Sequence, residues 1–221
     1  MSEFLHGNLT PWGYIVDAET IPDFITAVDF GNYTAGKFGT DSRIAANIPS
    51  ASASIRDYCG WHVTPSLTCG IIYRVQDIRD AFVGPDILIQ LPATFVSSVE
   101  KVVLDAVMDS ETGLYVGDQV DDFDIEPSGL LRIYDAGPRD RKSKIFIKYT
   151  AGYTASQTAA LKELTADLVS HAVANPYGIN SESAGGVSVS YSANWSGRTT
   201  STALANDTRE TLDAYKVRGI Y

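Results

Sequence analysis

Cysteine, histidine and long apolar runs are scarce in this sequence, and each shortage excludes a class of protein. The chain has only two cysteines among 221 residues, which excludes a framework of several disulfides. We expect Cys59 and Cys69 to be reduced thiols, with a single disulfide as the alternative. No apolar run approaches the roughly 18–20 residues that span a bilayer. The first ten residues lack the basic segment and apolar core of a secretory signal, so we expect synthesis in the cytoplasm and no membrane partner.

Basic residues are also outnumbered. The chain has 17 lysines and arginines against 27 acidic residues, a formal net charge of −10, and the excess falls in residues 1–40 and 68–152. Tight binding to a nucleic-acid backbone needs clustered Lys and Arg, so such binding is disfavoured. The charge is compatible with a surface that lets DNA pass without sticking. Ordinary solubilising charge is the simpler alternative.

Motifs for nucleotide binding and for a hydrolase nucleophile are missing. Cys59 and His62 have zinc-like spacing, with Cys69 nearby, but a structural zinc needs four ligands and no fourth follows. His171 lies beside the apolar face of a predicted helix, and we expect a hydrogen-bonded core histidine there. No cofactor, metal or catalytic residue is predicted.

An acidic run surrounds Phe123. A calcium-binding loop would need a glycine at its sixth position and a spaced glutamate, and a glycosidase pair would need a separation that the sequence does not give. We therefore predict a solvated hairpin tip. Trp61 and Trp195 are predicted to pack in a core or an interface. The acidic run around Phe123 comprises Asp118, Asp121, Asp122, Asp124 and Glu126.

The most regular stretch, 144–176, indicates a strand, a turn and a helix. Residues 145–149 alternate with the two-residue period of a strand. After Gly152, Thr154 and Gln157 have the spacing of a capping box, which predicts the start of a helix. Its predicted apolar face comprises Leu161, Leu164, Leu168 and Ala172, widened by Val169 and Val173.

Further elements are predicted on both sides of that stretch. A helix is expected over 41–60, with Asp41 as N-cap and with Pro49 either kinking or splitting it. Turn signals within 68–152 predict five to seven short antiparallel strands. A short helix is expected over 21–28 and a closing helix over 201–218. Between residue 176 and the closing helix, Ser/Gly-rich residues 177–200 predict a flexible segment with a short strand or an extended arm inside it.

Four short motifs mark the order of these pieces: IRDYCGW at 55–61, KYTAGY at 148–153, GGVSVSYS at 185–192 and LDAYKVRG at 212–219. In this order they resemble the head–tail connector proteins of long-tailed bacteriophages, in the longer form with a β domain between the first and the central helix. The resemblance covers residues 40–221 and leaves the N-terminal arm outside.

The resemblance implies a structural role in the virion, at the head–tail junction. Connector proteins of this kind form a twelve-subunit ring under the portal protein, meet the next neck or stopper protein, and lengthen the channel through which DNA passes without specific binding. It also implies candidate residues for contacts with the portal or with neighbouring subunits. These are Gly185, Val187, Val189, Tyr191, Leu212, Tyr215, Lys216 and Arg218.

The predicted fold is therefore α+β: a small helical bundle with an inserted antiparallel β domain and an extended C-terminal arm and helix. The predicted domains are an N-terminal arm (1–40), the bundle (41–67 with 153–221) and the β domain (68–152). We predict a protein that is not an enzyme. Another neck component, such as a stopper or tail-completion protein, is the alternative. A carbohydrate-binding or hydrolytic β protein using Asp121 and Asp124 is the third.

Overall fold

The computed structural model describes residues 8–39, 41–137, 139–140, 142–174, 181–184, 187–190 and 206–217. By its internal contacts the chain divides into two compact units. One contains the strands of two sheets, and the other contains the helices. Their ranges are Met1–Ile21, Trp61–Thr154 and Val217–Tyr221 for the first unit, and Pro22–Gly60 and Ala155–Lys216 for the second.

The first unit is built from ten antiparallel strands. Six form one sheet in the order β1-β2-β3-β10-β6-β7, and four form another in the order β4-β5-β9-β8. Helices together with antiparallel sheets confirm the α+β class. The strands are β1 (Asn8–Leu9), β2 (Ile15–Val16), β3 (Leu67–Arg74), β4 (Phe82–Val83), β5 (Asp86–Gln90), β6 (Val96–Met108), β7 (Tyr115–Val120), β8 (Phe123–Ile125), β9 (Leu130–Ile133) and β10 (Lys144–Ala151).

Strand β10 lies at the centre of the larger sheet, where the alternating sequence pattern predicted a strand. Ile145, Ile147 and Tyr149 are fully buried, and β10 pairs with β3 on one side and β6 on the other. The strand ends at Gly152, whose φ of +126° favours glycine. A Cβ there would lie 2.3 Å from the carbonyl oxygen of Pro65.

The N-terminal segment joins this sheet. Strand β2 pairs with β1 and with β3, so Ile15 faces Gly70 and Val16 faces Cys69. Such pairing between segments far apart in sequence leaves no local pattern in the sequence.

Strand β6 bends where its pairing with β7 shifts register between Leu104 and Val107. Asp105 sits at this β-bulge with a φ of +50°. Arg139 forms ion pairs with Asp105 and with Asp118, the latter at 3.2 Å. The bulge interrupts the pairing of β6 with β7, and Arg139 joins the bulge to Asp118 on β7.

The smaller sheet has a buried side made by alternate residues of its two central strands. Ile87 and Ile89 of β5 and Leu131 and Ile133 of β9 are all buried, as the alternation in the sequence implies. Strand β7 belongs to the larger sheet and β8 to the smaller one, so residues 121–122 connect two sheets. The prediction that the acidic run forms a hairpin tip is therefore wrong.

Eight strands lie between residues 67 and 151, more than the predicted five to seven.

The described residues of the second unit form four helices: α1 (Ala27–Tyr33), α2 (Arg43–Cys59), α3 (Ala159–Ala174) and α4 (Asn206–Asp213). Helix α2 is one element with Pro49 inside it, so the alternative of two separate pieces is wrong. It ends at Gly60, whose φ is +78° and whose N–H bonds to the carbonyl of Arg56. Its N-cap is Ser42; Asp41 instead accepts a hydrogen bond from the N–H of Arg43 at 2.9 Å.

Helix α3 begins at Ala159, after the predicted capping box at Thr154 and Gln157. Its buried side includes Thr165, whose hydroxyl is satisfied by donating to the carbonyl of Leu161 at 2.6 Å. Leu164 and Ala172, predicted to be core, are half-buried. The buried residues are Leu161, Thr165, Ala166, Leu168, Val169 and Val173.

Helix α1 lies later than the predicted helix over 21–28. Thr26 and Asp29 form its capping box: the hydroxyl of Thr26 accepts from the N–H of Asp29, and the Asp29 carboxylate accepts from the N–H of Thr26. The N–H of Thr26 and, in second place, its hydroxyl donate to the Asp29 carboxylate, and they lower the pKa of Asp29 because they favour its charged form. Among the helices of the described ranges, none has the length and apolar character needed to cross a bilayer.

Candidate docking surface

Helix α4 carries the part of the predicted contact set that the structure describes most fully. Leu212 of this helix is completely buried, and α4 packs against α2 and α3 of its own unit. A leucine removed from water in this way contributes roughly 1.5–3 kcal/mol of hydrophobic stabilisation. In this structure Leu212 thus fastens α4 to the helices of its own chain.

A polar cluster at the surface reinforces this attachment. The Tyr58 hydroxyl on α2 donates a hydrogen bond to Oδ1 of Asp213 at 2.6 Å. That bond and, to a lesser degree, burial raise the pKa of Tyr58, because the neighbouring carboxylate disfavours a phenolate. The Lys216 ammonium lies 4.7 Å from the centre of the Tyr58 ring, a cation–π contact. Asp213 and Lys216, which follow the buried leucine, therefore both contact Tyr58.

Tyr215 provides a further connection. Its hydroxyl donates to the backbone carbonyl of Gln157, just before α3, at 3.2 Å. Tyr215 is half-buried, whereas Lys216 is exposed. The segment 212–216 therefore contacts α2 at Tyr58 and the start of α3 at Gln157.

The remaining predicted contact residues precede α4 or follow it. Val187 and Val189 lie in a strand, β12 (Val187–Ser190), as their alternation predicted; β12 pairs antiparallel with β11 (Ser181–Ala184). Gly185, Tyr191 and Arg218 are outside the described residues, as is Trp195. The structure brings Leu212, Tyr215 and Lys216 together at the end of α4.

In the described part of the chain, the buried histidine is His62. It is completely buried, its Nδ1 lies 2.9 Å from the Tyr14 hydroxyl and its Nε2 lies 3.1 Å from the carbonyl oxygen of Ala151. Since a carbonyl only accepts, Nε2 carries the proton and Nδ1 accepts from Tyr14. The Tyr14 hydroxyl also accepts a hydrogen bond from the backbone N–H of His62 at 2.9 Å. His171 is exposed, so its prediction as the core histidine is wrong.

Trp61 and the two cysteines are buried in the protein. Trp61 is fully buried and packs against His62 and Tyr153, which confirms its prediction as a packing residue. Cys59 and Cys69 are free and buried, as predicted. Burial raises the pKa of each thiol to about 12 because a thiolate would lose its hydration.

The carboxylates weighed as a hydrolytic pair have separate partners. Asp121 accepts a hydrogen bond from the side chain of Gln119 at 3.1 Å, and Asp124 accepts one from the Tyr134 hydroxyl at 2.7 Å. Within the described ranges, no group of three or more His, Cys, Asp and Glu side chains is placed to hold a metal ion.

Comparison with known proteins gives one family match. The family model described as "HCP: Head completion protein" matches residues 23–217 of the chain. Among solved structures, the chain is similar to one described as "Virion of native gene transfer agent (GTA) particle", with a TM-score of 0.47 and 14% sequence identity. That match covers 89% of this chain and 91% of the other. No curated protein sequence matches the chain.

Proposed function

Because the chain belongs to the head completion protein family, and so is a structural protein of the phage virion neck at the junction of head and tail, we propose that it is the adaptor that docks under the portal. In that role it forms a twelve-subunit ring with copies of itself and extends the DNA channel towards the tail. The ring also contacts the next neck protein. Its helices act as a bundle interrupted by the β unit, from which the C-terminal arm and α4 extend.

The observation that carries this proposal is the way α4 is attached. The helix has eight residues, too few to be stable in isolation, and it is fastened by the buried Leu212 and by surface contacts at Tyr58 and Gln157. Such a helix can detach from its own unit and bury Leu212 against a partner protein instead. The net cost in free energy is small because one apolar site replaces another.

Co-sedimentation with the portal tests the adaptor role. The purified protein is mixed with its portal protein, and the complex is separated by velocity sedimentation and weighed by native mass spectrometry. We expect co-migration at twelve copies of this chain per portal. A protein that never migrates with the portal would contradict the proposal.

One observation favours the alternative neck component. The closing helix, predicted over 201–218, ends at Asp213, and residues 214–217 are not helical. A short α4 beside ten strands in the first unit is nearer to the mostly β character expected of a stopper or tail-completion protein. Such a protein would bind the neck only after an adaptor is present. Sedimentation with heads that carry the portal but lack other neck proteins therefore separates the two roles.

A further inference from the structure

The tip of the β6–β7 hairpin combines exposed apolar side chains with acidic charge. We define the finger as residues 107–116, beyond the bulge at Asp105. Three of its side chains are large, apolar and exposed: Val107 at 63%, Met108 at 56% and Val116 at 48%. The other exposed large hydrophobics in the described part of the chain are spread over three elements and do not form such a set: Leu9, Val28, Tyr33 and Val83.

The finger shows apolar surface on both faces. Val107 is directly opposite Val116, and Met108 is directly opposite Tyr115. Because successive residues of a strand point to opposite faces, the two valines lie on one face and Met108 with Tyr115 on the other. A hairpin that is apolar on both sides suits insertion into a groove better than packing on a flat surface.

The finger is held in shape by its own contacts. Tyr115 stacks on Phe146 with ring centroids 4.6 Å apart. In the turn, the Asp109 carboxylate accepts from the N–H of Glu111 at 2.9 Å, and the Gly113 N–H donates to the carbonyl of Asp109 at 2.7 Å. A preformed element loses little conformational entropy on binding.

The charge around the finger selects its partner. Residues 102–131 contain eight acidic residues and no lysine or arginine. Arg139 offsets part of this charge at Asp105 and Asp118, while Asp109 and Glu111 lie at the tip. Nucleic acid and anionic lipid would be repelled. A second copy of the chain carries the same net charge of −10.

We propose that the finger inserts into an apolar groove, rimmed by lysine or arginine, on a different protein of the neck. This inference rests on the proposed role in the neck and adds a docking element separate from α4. The apolar side chains supply the buried contact, and the acidic flank guides approach to the basic rim.

Assembly in vitro tests the finger with a matched control. The finger variant is Val107→Thr/Met108→Gln/Val116→Thr, which keeps strand-forming residues at the two valine positions. The control is Leu9→Gln/Val28→Thr/Val83→Thr, which removes exposed apolar side chains elsewhere. Each protein is added to purified heads that carry the portal but lack this protein, and then to purified tails. Sedimentation with heads, tail joining by electron microscopy, oligomeric state and thermal unfolding are measured.

We expect the finger variant to lose tenfold or more in head binding or in tail joining, with unchanged unfolding and oligomeric state, while the control behaves as wild type. Glu111→Lys should weaken the same step, and less so at high salt. Full assembly by the finger variant would overturn the inference, as would a loss confined to self-association, which would identify a second copy as the occupant. Failure of the wild-type protein to bind heads would instead contradict the proposed adaptor role.

Discussion

His62 is hydrogen-bonded to Tyr14 and to the carbonyl of Ala151 inside the first unit. The Tyr14 hydroxyl serves two groups of His62, the ring Nδ1 and the backbone N–H. Replacing Tyr14 by Phe removes that shared partner inside the core. We expect the free energy of unfolding to fall by ~1–3 kcal/mol, the cost of leaving buried polar groups without a partner. Chemical denaturation measures it.

Tyr134→Phe is the control for that substitution. The Tyr134 hydroxyl also has a partner, the Asp124 carboxylate, but this pair lies at the surface where water replaces a lost hydrogen bond. A change within about 0.5 kcal/mol is expected. Equal losses in the free energy of unfolding in the two variants would show that the buried hydrogen bonds of Tyr14 stabilise the fold no more than the surface bond of Tyr134.

The two cysteines should be chemically silent in the folded protein. Burial raises the pKa of both thiols to about 12, so almost none is thiolate at pH 8, and thiolate is the reactive form. Mass spectrometry after iodoacetamide treatment should find Cys59 and Cys69 unmodified in native protein and both alkylated in denaturant. Rapid modification of either thiol in native protein would contradict its placement in the core.

Glu100 makes stability depend on pH. Its pKa is lowered, first by the hydrogen bond from Lys148, at 2.9 Å, and further by Thr150. A carboxyl with a lowered folded-state pKa contributes stability that is present above its unfolded pKa and is lost as the pH falls through the folded pKa. Glu100→Gln should therefore be less stable than wild type at pH 7, by less than ~1 kcal/mol for a partly exposed pair. The difference should disappear in acid.

Denaturation curves from pH 7 down to acid measure this loss. Glu111→Gln, at the exposed turn of the finger, is the control and should follow the wild-type curve. A Glu100→Gln deficit that persisted unchanged in acid would mean that packing, and not the ion pair, stabilises this site.

At the scale of the element, the attachment of α4 can be separated into apolar and polar parts. Leu212→Ala removes its fully buried side chain, and truncating a core leucine costs about 2–5 kcal/mol. Because α4 is a short terminal element, we expect local detachment before global unfolding. Hydrogen exchange over 206–217 should become much faster, while exchange in β10 stays at the wild-type rate.

Tyr58→Phe is the matched polar change. It keeps the ring under Lys216 and removes the hydrogen bond to Asp213. A smaller acceleration over 206–217 is expected than for Leu212→Ala, since the lost bond lies at the surface. If exchange in α2 and α3 accelerated equally with α4, the helix would be a cooperative part of the unit and could not be released alone.

The elements that sequence reasoning identified are those with a local pattern. The alternation around Ile147 and the apolar spacing of α2 predict β10 and α2 because period alone determines which side chains can be buried. Helix α3 starts at Ala159, later than the spacing of Thr154 and Gln157 predicts. The capping box at Thr26 and Asp29 carries the same kind of signal and is readable from the sequence.

Burial at single positions depends on partners far away in the chain, which limits prediction of the site. His171 has apolar neighbours in sequence yet is exposed, whereas His62 is buried because Tyr14 and Ala151 reach it from 48 and 89 residues away. The exposed finger was missed for a related reason. A strand pattern at Val107 and Val116 does not reveal whether other parts of the chain cover them, and in the structure both are exposed.

At the scale of the whole molecule, the net charge of −10 acts on two kinds of contact with opposite sign. In the proposed ring, identical acidic subunits lie side by side and repel one another, so salt should favour their association. The Debye length falls from ~30 Å at 0.01 M to ~10 Å at 0.1 M. Self-association, measured by sedimentation at constant protein concentration, should increase over this range.

The finger should respond in the opposite direction, because its acidic flank is proposed to attract a basic rim. Binding to the neck partner should weaken over the same salt series, and Glu111→Lys should flatten that dependence without changing the salt dependence of self-association. The variant thus tests whether the two contacts use different surfaces. If both became weaker with salt, attraction between unlike patches would dominate the ring as well, and copies of this chain would have to pair an acidic surface with a basic one.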